Sequence, residues 1–362
     1  MIVLHVSNSS KYSGMENVAI NIMKSMPDKV RCVYLTATGS IETRLLDQGI
    51  EYIGVEKVTE EAIKNAIAEI KPDIIHAYEY EASLMCTKVT DDIPIVSHLY
   101  SMPRWVVKIG PKSIIYGGAC KNFAKIITPD EVVEQKAWFK DKMEGKTANL
   151  GVPFNATAVF EKGYLAGNEM SKEKLEGYRS DLLFMGYLTD DKNPYEFIRL
   201  VKEVKKTHPD IKAIMVGGGD LGSECLSLIR KLDLTDNIRM AGLQHNPYVY
   251  MNQTRLLVIT SKFEGFGMTA IEAMAFGKPV IASCVGGLIV TVNESCGMIC
   301  GNEKQPIDKA AFLENINELL DDEEKYRTKS EGARKRAKEL NNYDDYMEEV
   351  LKIYEDIYNT AK

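Results

Sequence analysis

Short runs rich in β-branched residues alternate along the chain with longer stretches whose apolar positions recur at three and four residues. That alternation predicts parallel strands joined by crossover helices, an α/β fold. In the first half the runs predict strands at Met1–Ser7, Arg31–Thr36, Tyr52–Val55, Ile74–Ala77, Ile95–His98 and Lys125–Thr128. A polar, irregular segment follows from Gly151 to Ser180, with a charged helical piece near Ser171–Arg179, and reads as an interdomain link. Strand signals restart at Asp181–Gly186, Ile211–Val216, Ile238–Ala241, Leu256–Thr260, Pro279–Ala282 and Gly297–Cys300. After Leu340, the run Asn341-Asn342-Tyr343-Asp344-Asp345 offers capping residues before a last amphipathic helix ending near Tyr358. At 362 residues the chain exceeds what one core usually organises. The expected division is therefore residues 1–165, residues 166–342 and a C-terminal helix over 343–362 that packs back toward the first domain. Two domains imply a cleft between them.

Composition narrows the function classes. A chain 45% hydrophobic and 27% charged folds as an ordinary globular protein. Its net charge of −7 argues against general nucleic-acid binding, which needs an extended basic surface. No basic leader precedes the first strand and no apolar run approaches a membrane span, so the expected location is cytoplasmic, at most peripheral at the inner face of a membrane. Seven scattered cysteines fit a reducing compartment, and the Cys296/Cys300 pair lacks the further ligands that zinc needs. One local exception stands out. From Ile93 to Pro129 there is no acidic residue, while Arg104, Lys108, Lys112, Lys121 and Lys125 interleave with Trp105, Val106, Val107, Ile109, Ile114, Ile115 and Tyr116. Such a segment suits contact with an anionic lipid headgroup or lipid-linked diphosphate; a buried helix with solvated lysines fits the same letters.

The chemistry concentrates between Ser261 and Ile281, in Ser-Lys-Phe-Glu-Gly-Phe-Gly-Met-Thr-Ala-Ile-Glu-Ala-Met-Ala-Phe-Gly-Lys-Pro-Val-Ile. It reads as strand end, glycine-rich turn, helix, loop and strand. Gly265 and Gly267 permit close backbone approach, leaving amides at the helix start near Met268 and Thr269 to attract phosphate. Glu264 and Glu272 are acceptor-only groups suited to sugar or ribose hydroxyls. Read without further context, they are equally a capping carboxylate and a solvated helix position.

This segment resembles the nucleotide-sugar site of the retaining glycosyltransferases of family 4, which have the GT-B fold. The family's two glutamates, with seven residues between them, match Glu264 and Glu272, followed by Ala-Met-Ala-Phe-Gly-Lys-Pro-Val. The resemblance implies two Rossmann-like domains with a deep interdomain cleft, Glu264 beside the transferred sugar, and Glu272 on the donor ribose. Gly265, Phe266, Gly267, Met268 and Thr269 would meet the donor phosphates. Ser13-Gly14-Met15-Glu16 is similar to the family's first glycine-rich loop, with Gly14 approaching the diphosphate and Ser13 departing from the usual glycine. Met185-Gly186-Tyr187 to Lys192-Asn193 resembles the family's Gly-Arg-Leu segment, so that Lys192 would neutralise the diphosphate without a metal. Tyr187 stands where the family has arginine. Arg239 to Gln244 matches the strand whose following backbone, at Gly242 and Leu243, reads the base. In Val216-Gly217-Gly218-Gly219-Asp220 most glycines read as a strand-ending turn.

His76 and His98 each stand near the C-terminal end of a predicted strand, where ligands of open α/β sheets bind. The family usually has a histidine at the place of His98, so His98 is the expected acceptor-side residue, although a lone strand-end histidine also serves structure. The implied activity is retaining transfer from a nucleoside-diphosphate sugar to a glycan or lipid-linked acceptor, in cell-envelope glycan or glycolipid synthesis, with no cofactor and no metal. The rivals are a sugar-nucleotide epimerase of the same fold and a catalytically idle sugar-nucleotide-binding partner subunit.

Overall fold

A computed structural model describes residues 1–11, 13–100, 104–129 and 131–360, without the side chains of Arg104, Glu131 and Val132. Part of the acid-free stretch, residues 101–103 and the Arg104 side chain, therefore lies outside the described residues. The chain divides into two compact units, residues 1–153 with 342–362, and residues 154–341.

The first unit holds seven strands: β1 (Ile2–Val6), β2 (Arg31–Ala37), β3 (Tyr52–Val55), β4 (Ile74–Tyr78), β5 (Ile95–His98), β6 (Phe123–Thr128) and β7 (Thr147–Asn149). They lie in the order β3-β2-β1-β4-β5-β6-β7, every pairing parallel. Helices cover a parallel sheet on both faces, which is why β4 and β5 are buried at every position. The β7 strand has no sequence signal, being three residues at a sheet edge. It is fixed by pairing with β6 and by Glu134, which accepts from Thr147 Oγ1 at 2.6 Å and Asn149 Nδ2 at 2.8 Å.

The second unit holds β8 (Ser180–Met185), β9 (Ala213–Val216), β10 (Ile238–Gly242), β11 (Thr254–Ile259), β12 (Val280–Ser283) and β13 (Gly297–Cys300), in the order β10-β9-β8-β11-β12-β13, again all parallel. Two expectations are corrected here. The segment read as an irregular link contains a 13-residue helix, Ala156–Asn168, capped by Asn155, whose side chain accepts from Ala158 N at 2.9 Å. The boundary falls after Pro153 rather than at 165/166, because that helix packs on the second unit. A Cβ on its Gly163 would come within 2.5 Å of the Phe276 ring.

The helix Tyr343–Thr360 packs on the first sheet with Tyr346, Met347, Val350, Ile353 and Tyr354 buried. Two tyrosines of this helix end a chain of buried polar groups. Tyr346 Oη lies 3.2 Å from His98 Nε2, His98 Nδ1 lies 3.1 Å from His76 Nε2, and His76 Nδ1 lies 2.5 Å from Tyr354 Oη. His5, in register with His76 across β1 and β4, stacks on it at 5.2 Å and meets Tyr78 Oη at 2.9 Å. A neutral imidazole has one N–H and one acceptor nitrogen. Once the His76–His98 bond takes a direction, the direction of both tyrosine bonds follows, and all four groups are satisfied. A second proton on the ring that accepts at the His76–His98 bond would face donor to donor.

Burial therefore pushes the histidines down, to about 3 for His5 and His98, and well below the ordinary value for His76. The ordinary value of about 6.5 applies in the unfolded chain, which takes up protons as pH falls below it while the folded chain does not. The stability from neutral burial is thus complete above pH 6.5 and lost progressively as pH falls from there toward 3. Urea denaturation should show a loss of roughly 1–2 kcal/mol per pH unit for each such histidine below pH 6.5. Tyr346→Phe and Tyr354→Phe should each cost about 1–3 kcal/mol at neutral pH by leaving a buried ring nitrogen unpaired. Unchanged urea midpoints in both variants would rule out this clasp.

Candidate functional site

Ligands of open parallel sheets bind beyond the carboxyl ends of the strands where the order reverses. In the second sheet that place lies between β8 and β11, and the two loops leaving them, Gly186–Asn193 and Ser261–Gly267, carry the expected chemistry. They are laced together. Lys262 N donates to Asp191 O at 2.7 Å and Thr260 Oγ1 to Asn193 O at 3.0 Å, while Lys262 Nζ pairs with Asp190 at 2.5 Å. Lys262 is thereby engaged at the loop's outer edge.

At the inner edge Lys192 Nζ lies 2.5 Å from Glu264 Oε1, which also accepts from Ser261 Oγ at 2.8 Å. The side chains of Lys192 and Glu264 retain 28% and 12% of their exposure, so the pair is shielded yet open to a ligand. Tyr187, in the place of the family's arginine, is 48% exposed.

Glycines make this geometry possible. Gly286, at φ 51°, and Gly287 lie directly on the Glu264 turn, where a Cβ on Gly286 would overlap the Glu264 carbonyl oxygen and one on Gly287 would sit 2.5 Å from Gly265 O. Gly287 N donates to Gly265 O at 2.7 Å, and Thr291 Oγ1 holds Phe266 O at 2.9 Å. On the other side, a Cβ on Gly217 would overlap Gly186 O, and one on Gly219 would come within 2.6 Å of Leu188 O. Those two glycines do more than end a strand, because they seat the loop that carries Lys192. Gly217 N also donates to Gly242 O at 2.9 Å, which joins the Gly242–Leu243 turn to the group; Leu243 is 76% exposed.

Gly267, at φ 82°, caps the helix Met268–Ala275. Such a residue accepts the left-handed conformation without a Cβ penalty, and the first-turn amides of Met268 and Thr269 have no preceding helical carbonyl to bond. On the next turn Glu272 accepts from Tyr248 Oη at 3.0 Å. Burial pushes the Glu272 carboxyl up to about 7, against the opposing pull of the Tyr248 hydrogen bond and the Lys162 charge. Tyr248, Ser261, Gly286 and Gly287 escaped the sequence reading. The adjacent glycines after a strand were a legible signal, whereas Tyr248 stands 24 residues from its partner and nothing local marks it.

The first unit disposes its expected residues differently. Gly14 opens the helix Gly14–Ser25, and a Cβ there would lie 2.6 Å from the Tyr100 hydroxyl, so its smallness accommodates that ring. Glu16 closes a capping box, accepting from Ser13 N at 3.0 Å. His98 is the correction: it is 2% exposed, with both ring nitrogens engaged by His76 and Tyr346. It cannot present a nitrogen to an acceptor without breaking the clasp to the C-terminal helix. His76 is equally enclosed.

The family model described as glycosyl transferases group 1 matches residues 167–336, the span holding every loop of this site. An uncharacterised glycosyltransferase of Methanocaldococcus jannaschii is 25% identical over 234 residues, 61% of this chain and 58% of its own length. The capsular polysaccharide biosynthesis glycosyltransferase CapM of Staphylococcus aureus is 30% identical over 223 residues, 60% of this chain and 56% of its own. The alignments thus span less than two thirds of either relative. Residues 167–336 thus match a group 1 glycosyltransferase domain, and the chain is similar in sequence to glycosyltransferases. Its fold is that of GT-B glycosyltransferases: the structure of Anabaena Alr3699/HepE, solved with UDP and glucose, superposes with a TM-score of 0.83 at 19% identity, covering 98% of this chain and 100% of that one.

In this chain the Glu264 turn depends on Gly286. Gly286→Ala should displace that turn and lower stability by at least 2 kcal/mol, since neither overlap with backbone nor a positive φ can be relieved by a rotamer change. Thermal unfolding of this variant beside Gly49→Ala, which has the same sign of φ but nothing within 4 Å of its Cβ, separates the two contributions. Equal melting temperatures would refute the close-approach account.

Proposed function

We propose that this group 1 glycosyltransferase moves a sugar from a nucleoside-diphosphate sugar to an acceptor hydroxyl with retained anomeric configuration, in cell-envelope glycan or glycolipid synthesis. The observation that carries the reading is the Lys192–Glu264 pair, held on a glycine-built turn at the start of a helix. Lys192 turns from Glu264 to the donor diphosphate, and the Gly267–Thr269 amides take the remaining phosphate oxygens. Glu264, released, accepts from hydroxyls of the transferred sugar, and Glu272 accepts from the ribose. The Gly242–Leu243 backbone reads the base.

Negative charge develops on the leaving diphosphate during transfer, and the same lysine and amides stabilise it where it forms. That chemistry needs no resident cofactor and no metal, and the leaving phosphate takes the acceptor proton. UDP is the favoured nucleotide because it was bound in the HepE structure, and a capsular role for CapM favours a glycan or lipid-linked acceptor. A lipid-linked acceptor brings peripheral contact with an anionic membrane surface. No helix among the described residues is long and apolar enough to cross a membrane.

A thermal-shift screen of nucleotide sugars identifies the donor, since binding raises apparent stability by mass action. With that donor, calorimetry and initial rates should show that Glu272→Ala weakens binding while Glu264→Ala chiefly lowers turnover, each about ten- to a hundredfold, with circular dichroism unchanged. Donor affinity should also rise severalfold between pH 6 and 8. Glu272 ionises there near its raised value of about 7, and only the carboxylate accepts two hydroxyls. Sign follows from the same shift in the unliganded protein: protonated Glu272 is the form that burial favours, so its contribution to stability is lost as pH rises through 7. A Glu272→Gln variant whose donor affinity keeps the wild-type pH dependence would remove Glu272 from the ribose.

A further inference from the structure

We infer that one face of the first unit is a docking surface for an anionic lipid bilayer, built from the helices Arg104–Val107 and Pro111–Ala119 and the turn around residues 138–142. The inference deepens the reading of a lipid-linked acceptor, and its test uses neither donor nor acceptor.

The structure redraws the segment that the sequence suggested. Val106 and Tyr116 are fully buried, and Trp105 packs against the core, stacked on Phe139 with ring centroids 6.0 Å apart. They hold the surface together and do not form it. What faces outward is Ile109, Ile114 and Ile115, at 66%, 51% and 53% exposure, and Trp138, at 42%. Trp138 lies beyond the acid-free stretch in sequence, but the fold brings it back: its N–H donates to Val106 O at 2.9 Å. The following residues close against the second helix. A Cβ on Gly117 would lie 2.7 Å from Phe139 Cβ and 3.7 Å from Lys142 Cδ, so the stem of Lys142 runs along that helix.

Exposed lysines belong to the same segments: Lys108 between the two helices, Lys112 at the start of the second, where its Nζ lies 5.1 Å from the Tyr80 ring centroid, and Lys140 and Lys142 on the turn. Residues 104–146 carry nine Lys and Arg against five Asp and Glu, in a chain of net charge −7. This stretch is therefore locally positive in a chain that is negative as a whole. Four large apolar side chains in water, interspersed along these segments with exposed lysines, match an interface in which hydrocarbon takes the first and headgroup phosphate the second. The indole of Trp138 suits the headgroup level itself. Asp141 and Glu144 share the turn and reduce its charge. Adsorption therefore rests on lysine and isoleucine together, as reversible peripheral binding does.

The test is cosedimentation of the full chain with phosphatidylcholine vesicles, and with the same vesicles containing phosphatidylglycerol. Binding to the anionic vesicles alone, reversed by high salt, is expected. Because a lysine near an anionic surface contributes about 1 kcal/mol, the Lys108→Gln/Lys112→Gln variant should partition roughly twenty- to thirtyfold less. Brominated lipid in the anionic vesicles should quench tryptophan emission, and Trp138→Phe should abolish that quenching while leaving the half-buried Trp105 emitting. Ile114→Ser/Ile115→Ser should weaken binding with an unchanged circular dichroism spectrum. If that variant does not fold, the lysine and tryptophan variants decide alone. Equal sedimentation with both vesicles, sedimentation with neither, or quenching that survives Trp138→Phe would overturn the inference. So would a dimer in sedimentation velocity that the isoleucine variant dissociates, since the face would then be covered by a second copy. Loss of lipid binding with donor binding intact leaves the transfer reading standing, and the converse leaves this one.

Discussion

The second unit's site rests on one constraint: two backbones touch where any side chain would keep them apart. Gly286 and Gly287 lie against the Glu264–Phe266 turn at distances that exclude a Cβ, and Thr291 holds the Phe266 carbonyl from the same segment. A turn anchored in this way cannot drift. Glu264 is therefore aimed at the loop after β8 instead of at solvent, and the helix from Met268 begins where the strand order reverses. The loop after β8 is seated by the equivalent device, Gly217 and Gly219 against Gly186 and Leu188. Close packing of backbone on backbone positions Lys192 and Glu264 to within a hydrogen bond of each other. Side-chain contacts alone, with their rotamer freedom, would hold them less firmly.

Much of this was legible in the letters, for reasons that can be named. Twelve of the strands announce themselves because parallel strands covered on both faces must be apolar at nearly every position. The turn from Glu264 to Gly267 is legible because a close backbone approach and a left-handed helix cap both demand glycine, which stands out in the letters. Where reading failed, a tertiary contact overrode the local signal. The strand Thr147–Asn149 exists through Glu134 and its neighbour β6. The helix Ala156–Asn168 contains two glycines that depress helix propensity, yet one of them, Gly163, is what lets the helix seat on Phe276. The unit boundary moved with that helix.

His98 shows the limit of arguing from position. A histidine at the carboxyl end of a parallel strand stands where ligands bind, and by that criterion alone it is a site residue. What the strand pattern cannot reveal is which strand ends are covered by chain that follows hundreds of residues later. Here the last helix brings Tyr346 and Tyr354 onto β4 and β5, and the two histidines bond to them and to each other. Buried polar groups are tolerated only when fully partnered. The chain of two tyrosines and two histidines meets that condition with both rings neutral, so the helix and the imidazoles fix each other.

The Lys192–Glu264 pair has a different logic, because it is incompletely buried and must give way. A lysine desolvated without a partner is costly, and so is a carboxylate. Each therefore serves in the unliganded protein as the other's counter-charge, with Ser261 completing the carboxylate's bonds. On the transfer proposed above, a diphosphate entering beside the helix start would offer Lys192 more negative charge than one carboxylate does, and would leave Glu264 free to accept from hydroxyls. The exchange conserves the number of charge-assisted bonds while moving them onto ligand. An uncharged sugar without the diphosphate cannot drive it, since nothing would replace the carboxylate on Lys192. On that proposal, selectivity for a sugar carried on diphosphate would follow from how Lys192 and Glu264 satisfy each other's charge.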